Sequence, residues 1–340
     1  MIGFRVDANE KIATGHLMRC IAIAAACQKK GKQCLFLLAE GKETQRLADR
    51  GLPYRVMGTE WNDMESEKEQ LAQILDEQRF EYMVVDSYQA TIPYLKWLNS
   101  RVPVLYIDDL AREIYPVTAV LHYSQWKDDQ SYFNQYQNIP VKVLAGMEYT
   151  PLRGEFAQRY YEKREKRILI TTGGTDPFNI TYKLLSICLC DEVFASYSYD
   201  VIVGSMNVYE AQLKEMEHQY PQIKIHKNIT NMSDYMRGCE MAVSAGGTTL
   251  FELCACGIPT VCFSFAENQM KFSKEIGEHE IMFYAGDARY NDKIEIDICQ
   301  CLHRFLENKK LEAEYARRML ELVDGKGCER IADVLCRNCK

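Results

Sequence analysis

"MAVSAGGTTLFELCACG", residues 241–257, is an apolar run, a pair of glycines, two threonines and then a helix-forming stretch. A short continuous apolar run of this kind marks a parallel strand covered on both faces. The glycine turn and the helix that follow make it a strand–loop–helix unit. The same rhythm appears at "RILITTGGTD" (167–176), and "YDVIVGS" (199–205), "IKIHKN" (223–228), "TVCFSF" (260–265) and "IMFYAG" (281–286) read as further strands. Helical segments fill 295–337, broken by "DGKGCERI" (324–331).

Working back, the N-terminal half keeps the same alternation. "IGFRVD" (2–7) leads into a helix over about 15–30, and "QCLFLLAE" (33–40) precedes a charged helical stretch around 65–79. "YMVVDS" (82–87), a helix near 92–100, "VLYIDD" (104–109), "AVLHY" (119–123) and "VKVLAG" (141–146) complete it. Strand–helix–strand repetition implies right-handed crossovers and a doubly wound sheet. The charged segment "TPLRGEFAQRYYEKREKR" (150–167) interrupts the rhythm and reads as a linker, with the boundary near 150–165. The expected fold class is therefore α/β, with two Rossmann-like doubly wound domains, 1–155 and 156–340, facing across a cleft where ligands bind. The last helix is placed with the second domain or packed back on the first.

At 340 residues the chain is long enough for two domains, and its 47% hydrophobic and 26% charged content is that of a globular protein. A net charge of −7 argues against nucleic acid or an anionic membrane as the main partner. No apolar run reaches the roughly 18 residues of a membrane span, and the N-terminus has no signal-peptide pattern. The expectation is a cytoplasmic protein, monomer or weak dimer. Of 14 cysteines, Cys20, Cys27, Cys34, Cys188, Cys190, Cys254, Cys256 and Cys262 sit in apolar settings and read as reduced core residues. Cys336 and Cys339 form a CxxC at the extreme C-terminus with no second pair at zinc spacing, which reads as a frayed tail with two free thiols.

Three glycine loops follow strands: "ATGH" (13–16), "TTGGTD" (171–176) and "SAGGTT" (244–249). None is a P-loop and none is GxGxxG. A GG-T loop before a helix lets a phosphate approach the unpaired N–H groups and the positive end of the helix dipole. Thr248 and Thr249 can add hydroxyl donors, or Thr249 is a plain N-cap. Glu252, one turn in, can hold ribose hydroxyls or simply complement the dipole. Asn268 and Gln269 open a helix at a strand end, where Asn is also a good N-cap. His16, at the first strand–helix turn, is a candidate general base, acid or phosphate hydrogen bonder. Asp86, Asp108 and Asp109 end strands and offer carboxylates to a magnesium ion, although a diphosphate held by backbone N–H groups needs no metal.

The motifs together resemble a family. "FRVDANEKIATGHLMRCIAIA" (4–24), "VVDSY" (84–88), "YIDDLA" (106–111), "YTPLRGEF" (149–156), "ILITTGGTDPFN" (168–179), "NITNMSDYM" (228–236), "AVSAGGTTLFELCACGIPTV" (242–261), "ENQ" (267–269) and "DGKGCERI" follow one another in the order of the UDP-2,4-diacetamido-2,4,6-trideoxy-β-L-altropyranose hydrolases of pseudaminic acid biosynthesis. That group includes spore-coat polysaccharide biosynthesis proteins. The resemblance implies a GT-B fold and a metal- and cofactor-independent hydrolase that splits UDP from a sugar at the anomeric carbon. It implies His16, Asp7 and Tyr88 as catalytic. It places substrate and UDP on Gly15, on Gly173, Gly174, Thr175 and Asp176, on Met232, on Gly246, Gly247, Thr248 and Thr249, and on Glu252, Asn268 and Gln269. Two departures stand out. Ala13 replaces a glycine of the family's Gly-Thr-Gly-His loop, and "LHYSQ" (121–125) stands where an Asp-Gln-Asn is usual. The alternatives are a GT-B glycosyltransferase using a UDP-sugar donor and a non-catalytic nucleotide-sugar binder.

Overall fold

The computed structural model describes residues 1–12, 14–157 and 164–337. Ala13 and Cys339 therefore lie outside the described residues. The chain divides into two compact units, Met1–Ala157 with Gly325–Lys340, and Gln158–Asp324. No helix among the described residues is long and apolar enough to cross a membrane.

The first unit is built on seven parallel strands: β1 (Ile2–Val6), β2 (Cys34–Leu38), β3 (Tyr54–Val56), β4 (Tyr82–Asp86), β5 (Val104–Ile107), β6 (Ala119–His122) and β7 (Lys142–Ala145). Their spatial order is β3-β2-β1-β4-β5-β6-β7. The direction of travel reverses between β1 and β4, which opens a crevice at their C-terminal ends, the switch point where such sheets bind ligands. Buried strands such as β1 and β4 carried the sequence signal. The edge strand β3, Tyr-Arg-Val, is exposed along its whole length and carried none.

One polar network runs through this core. Arg5 lies in the middle of fully buried β1. Its Nε and Nη2 donate to the two carboxylate oxygens of Glu67 at 2.7 and 2.6 Å, and its Nη1 donates to Asp7 at 2.5 Å. Tyr94 adds a hydrogen bond to Glu67, and the Ala39 amide donates to the other oxygen of Asp7 at 2.7 Å. Burial disfavours the Arg5 charge, but the hydrogen bond to Glu67 and the charges of Asp7 and Glu67 outweigh it and raise its pKa.

The helix Gly327–Cys336 packs on the helix Gly15–Lys29 and on the turn Met147–Tyr149. Two glycines of "DGKGCERI" allow this. A Cβ on Gly325 would stand 2.2 Å from the carbonyl oxygen of Phe156, and one on Gly327 would stand 2.1 Å from that of Thr150. The segment read as a linker is thus ordered against this helix as far as Ala157, with Phe156 buried and the Cys328 thiol donating to the Leu152 carbonyl.

The second unit carries six parallel strands: β8 (Glu165–Thr171), β9 (Ser198–Ile202), β10 (Ile223–His226), β11 (Cys239–Ala245), β12 (Thr260–Ser264) and β13 (Phe283–Asp287). Their order is β10-β9-β8-β11-β12-β13, so the switch point falls between β8 and β11. Both GG loops leave the sheet there, side by side. Among the cysteines expected in the core, Cys190 is instead exposed, because it is the last residue of its helix; the other seven are buried.

Removing one partner of a buried ion pair leaves the other charge unpaired, at a cost of about 3–5 kcal/mol. Arg5→Met should therefore lose about that much stability in urea denaturation. A loss below about 1 kcal/mol would show that the Glu67–Arg5–Asp7 network contributes no such constraint.

Candidate active site

In the first unit the sheet reversal puts the end of β4 beside the helix that follows β1. His16 is the second residue of the helix Gly15–Lys29, and its Nδ1 lies 2.6 Å from Oδ1 of Asp86, the last residue of β4. Arg19, one turn on, donates from Nε to Asp86 Oδ2 at 2.6 Å and from Nη2 to Oδ1 at 2.5 Å. Its Nη1 donates to Asp109 at 2.9 Å and to the Tyr123 hydroxyl at 2.7 Å. The Tyr88 hydroxyl donates to Asp109 at 2.8 Å, and the Tyr88 ring meets His16 edge-on at 4.8 Å between centroids. Asp86, Asp109, Tyr123 and His16 thus lie on one guanidinium, and Tyr88 joins the cluster through Asp109.

The electrostatics follow from burial. Asp86 is 1% exposed. Desolvation alone would raise its carboxyl, but the Arg19 charge, the Arg19 hydrogen bonds and the His16 hydrogen bond hold it well below the usual carboxylate range. An ionised carboxylate only accepts, so the His16 nitrogen facing it carries a proton, and in the neutral imidazole Nε2 is then the nitrogen with the lone pair. Arg19 Nη2 also comes within 2.9 Å of His16 Nδ1, but its hydrogen bond is the shorter one to Asp86. Burial and the neighbouring Asp109 charge raise the Tyr88 phenol, keeping it a neutral donor.

Asp7 belongs to the buried Arg5 network. Both of its carboxylate oxygens are engaged by Arg5 and the Ala39 amide, and the carboxylate on His16 is that of Asp86. Asp108 is spent on its own turn, accepting from the amides of Leu110 and Ala111 and from the Tyr132 hydroxyl. Arg19 and Tyr123 were not singled out from the sequence. Tyr123 lies within "LHYSQ", the segment that departs from the family pattern. Gly15 is exposed, and a Cβ there would meet nothing within 4 Å.

In the second unit the two GG loops differ in what they leave open. Asp176, 1% exposed, accepts from the amides of Ile180 and Thr181 at 2.9 Å each, so its carboxylate already fills the N-terminus of the helix Ile180–Cys190. Gly173 and Gly174 pack their carbonyls against Gly204, where a Cβ would stand 2.2 and 2.5 Å away. After β11, in contrast, the helix Thr249–Cys256 starts with no side-chain cap. Among the described residues the amides of Gly247, Thr248 and Thr249 have no hydrogen-bond partner. Gly247 has φ +145°, and a Cβ there would face open space. Gly246 has the opposite constraint, since a Cβ there would lie 2.3 Å from the Ser273 hydroxyl oxygen and 2.9 Å from Gln269 Cβ. Of the two loops, the second leaves the N-terminus of its helix open.

The remaining predicted residues lie on four elements of this unit. Glu252 lies half-buried in the first turn of the helix Thr249–Cys256. On the helix Glu267–Glu278, Asn268 is exposed and Gln269 accepts from the Phe265 amide at 3.0 Å. The buried Ser273 hydroxyl beside Gly246 has no partner. Thr175 is half-buried in the first loop, and Met232 is buried as the first residue of the helix Met232–Gly238.

No family model matches the chain. It is 27% identical over 241 residues to the UDP-2,4-diacetamido-2,4,6-trideoxy-β-L-altropyranose hydrolase of Campylobacter jejuni, covering 67% of this chain and 80% of that protein. It is 25% identical over 201 residues to the spore coat polysaccharide biosynthesis protein SpsG of Bacillus subtilis, covering 57% and 58%. A 125-residue stretch, 36% of this chain, is 33% identical to an uncharacterized protein, MJ1062, of Methanocaldococcus jannaschii, and spans only 25% of that protein's length. Solved structures match over almost the whole chain. MurG of Acinetobacter baumannii superposes with TM-score 0.66 at 13% identity, covering 98% of each chain. The spinosyn rhamnosyltransferase SpnG gives 0.67 at 12%, covering 98% and 99%. The UDP complex of Arabidopsis thaliana UGT89C1 gives 0.64 at 8%, covering 98% and 99%. The fold is GT-B, and the chain resembles the hydrolase and spore-coat proteins that its motifs suggested.

The depressed Asp86 carboxyl carries a pH signature. Its folded pKa lies below the unfolded value of about 3.9, so its stabilisation is complete above that pH and is lost as the pH falls. Asp86→Asn should be less stable than the wild type at pH 7, and the gap should narrow as chemical denaturation is repeated from about pH 4 downward. A gap independent of pH would mean that Asp86 is not held as the buried anion.

Proposed function

We propose that this chain is a nucleotide-sugar enzyme, and specifically a hydrolase that releases UDP from a UDP-activated sugar. The observation that carries the reading is the Asp86 carboxylate on His16 Nδ1, which leaves Nε2 as a base at a sheet switch point. In this mechanism His16 Nε2 takes a proton from water as the water oxygen attacks the anomeric carbon. The bond from that carbon to the diphosphate oxygen breaks, and the electron pair leaves with UDP. Asp86 stabilises the imidazolium that forms. The amides of Gly247, Thr248 and Thr249 supply the preorganised donors for the diphosphate, and Glu252 takes the ribose hydroxyls. No metal is needed for these steps.

Similarity to the Campylobacter jejuni hydrolase supports water as the acceptor and a diacetamido-trideoxy sugar as the group transferred. Similarity to the spore coat protein supports a place in surface polysaccharide or nonulosonic acid biosynthesis. The fold is equally that of sugar transferases, so a glycosyltransferase with a UDP-sugar donor is the second reading.

A panel of UDP-sugars, followed by mass spectrometry without added acceptor, separates the readings. The wild type should yield UDP and free sugar. His16→Ala should lower kcat by about 10²–10⁴-fold while UDP affinity stays within a few-fold. UDP release that requires an added sugar acceptor would favour the transferase. UDP binding with no turnover on any donor would favour a non-catalytic binder, and a fully active His16→Ala would remove His16 from the mechanism.

A further inference from the structure

Away from both glycine loops, the second unit gathers a set of side chains that the proposed hydrolysis does not use. Asp191, Cys299 and His303 offer ligand atoms that all lie within 4.8 Å of one another. His303 Nε2 is 2.7 Å from Asp191 Oδ2. Two helices supply these groups, and they pack on each other: Ile180–Cys190, with Asp191 as its C-cap, and Ile294–Glu307.

We propose that Asp191, Cys299 and His303 bind one thiophilic divalent cation, with zinc as the type ion. The spacing favours it. Cys299 and His303 are four apart on one helix face, and Asp191 caps the helix packed against it, so the two helices bring their groups to one point. A tetrahedral zinc site with sulfur, nitrogen and oxygen ligands holds neighbouring donors roughly 3.3–3.8 Å apart, a contraction of about an ångström from the widest separation here.

The surroundings match a metal ligand set better than a surface ion pair. Asp191 Oδ1 already accepts from the amides of Val193 and Phe194 at 2.9 and 3.0 Å, which fixes the carboxylate and leaves Oδ2 facing His303. The Phe194 ring packs on His303 at 4.6 Å. Orientation of ligands by such outer contacts is characteristic of metal centres. Cys299 is buried, whereas Asp191 and His303 are partly open and give a cation an entry path. The C-terminal end of the helix Ile180–Cys190 adds its negative dipole end.

Both helices return from the C-terminal ends of their strands, so the cluster lies toward the opposite edge of the sheet from the loops at 171–176 and 245–249. A cation there would clip together segments 112 residues apart in sequence rather than take part in the proposed hydrolysis.

Reduced, chelator-stripped full chain titrated with Co²⁺ tests the site. One equivalent should produce a thiolate-to-cobalt charge-transfer band with tetrahedral d–d bands, and Zn²⁺ should displace it. Zn²⁺ should also raise the wild-type Tm. Cys299→Ser and His303→Gln should each weaken Zn²⁺ binding by about a hundredfold or more and abolish the Tm rise. Cys336→Ser, in the first unit, should leave spectrum and affinity intact. His303→Gln, at a partly exposed position, keeps the test available if Cys299→Ser does not fold. A cobalt spectrum without thiolate bands, or equal Zn²⁺ affinity in the wild type and His303→Gln, would overturn the proposal.

Discussion

A carboxylate sealed from water at the end of a central strand must be neutralised, and in the first unit that role falls to Arg19. Its planar fork serves Asp86 with two nitrogens and still reaches Asp109 and Tyr123 with the third. A lysine, with one point charge on a flexible stem, could not hold two carboxylates and a phenol in one plane. The other contacts depend on this. Asp86 stays ionised because Arg19 is there, His16 is fixed in one tautomer because Asp86 stays ionised, and Tyr88 is tied to the same cluster through Asp109. The helix carrying both His16 and Arg19 begins where the sheet reverses direction, so topology and electrostatics locate the site at the same place.

The second unit shows how one sequence motif can take two physical states. Both GG loops leave neighbouring strands at a switch point and run toward helices. In one, the chain supplies its own anion, and Asp176 saturates the helix start as a phosphate would. In the other, no side chain among the described residues does so, and three amides stay unpaired beside a glycine with open space on its Cα. The first loop closes its own helix start, and the second leaves its helix start open. A helix N-terminus is an anion site only while nothing in the protein occupies it.

Much of the fold was legible because parallel strands buried on both faces write themselves as apolar runs, and twelve of the thirteen strands came from such runs. Strand β3 did not, since an exposed edge strand has no apolar face to record. Glycine loops and His16 were legible because their positions at strand ends follow from the rhythm alone. The partner of His16 was not. Asp7 stands nine residues away in sequence and Asp86 seventy, yet the order of strands sets β4 beside β1 and gives the contact to the distant one. Arg19 was hidden by its setting in an otherwise apolar helix, and Arg5 by its place in a hydrophobic strand, with Glu67 sixty-two residues on. Long-range pairing of charges leaves no periodic trace in a sequence.

The first unit is discontinuous in the chain: its helix Gly327–Cys336 is made only after the whole of the second unit. During synthesis the ribosome therefore releases a continuous second unit, complete and free to fold, while the first still lacks the helix that covers Gly15–Lys29. Until that helix arrives, the apolar side chains Cys328, Ile331, Ala332 and Leu335 are missing from their places, and the scaffold beneath His16 and Arg19 is unfinished. The nascent chain thus acquires the open glycine loop after β11 well before its candidate base is firmly mounted.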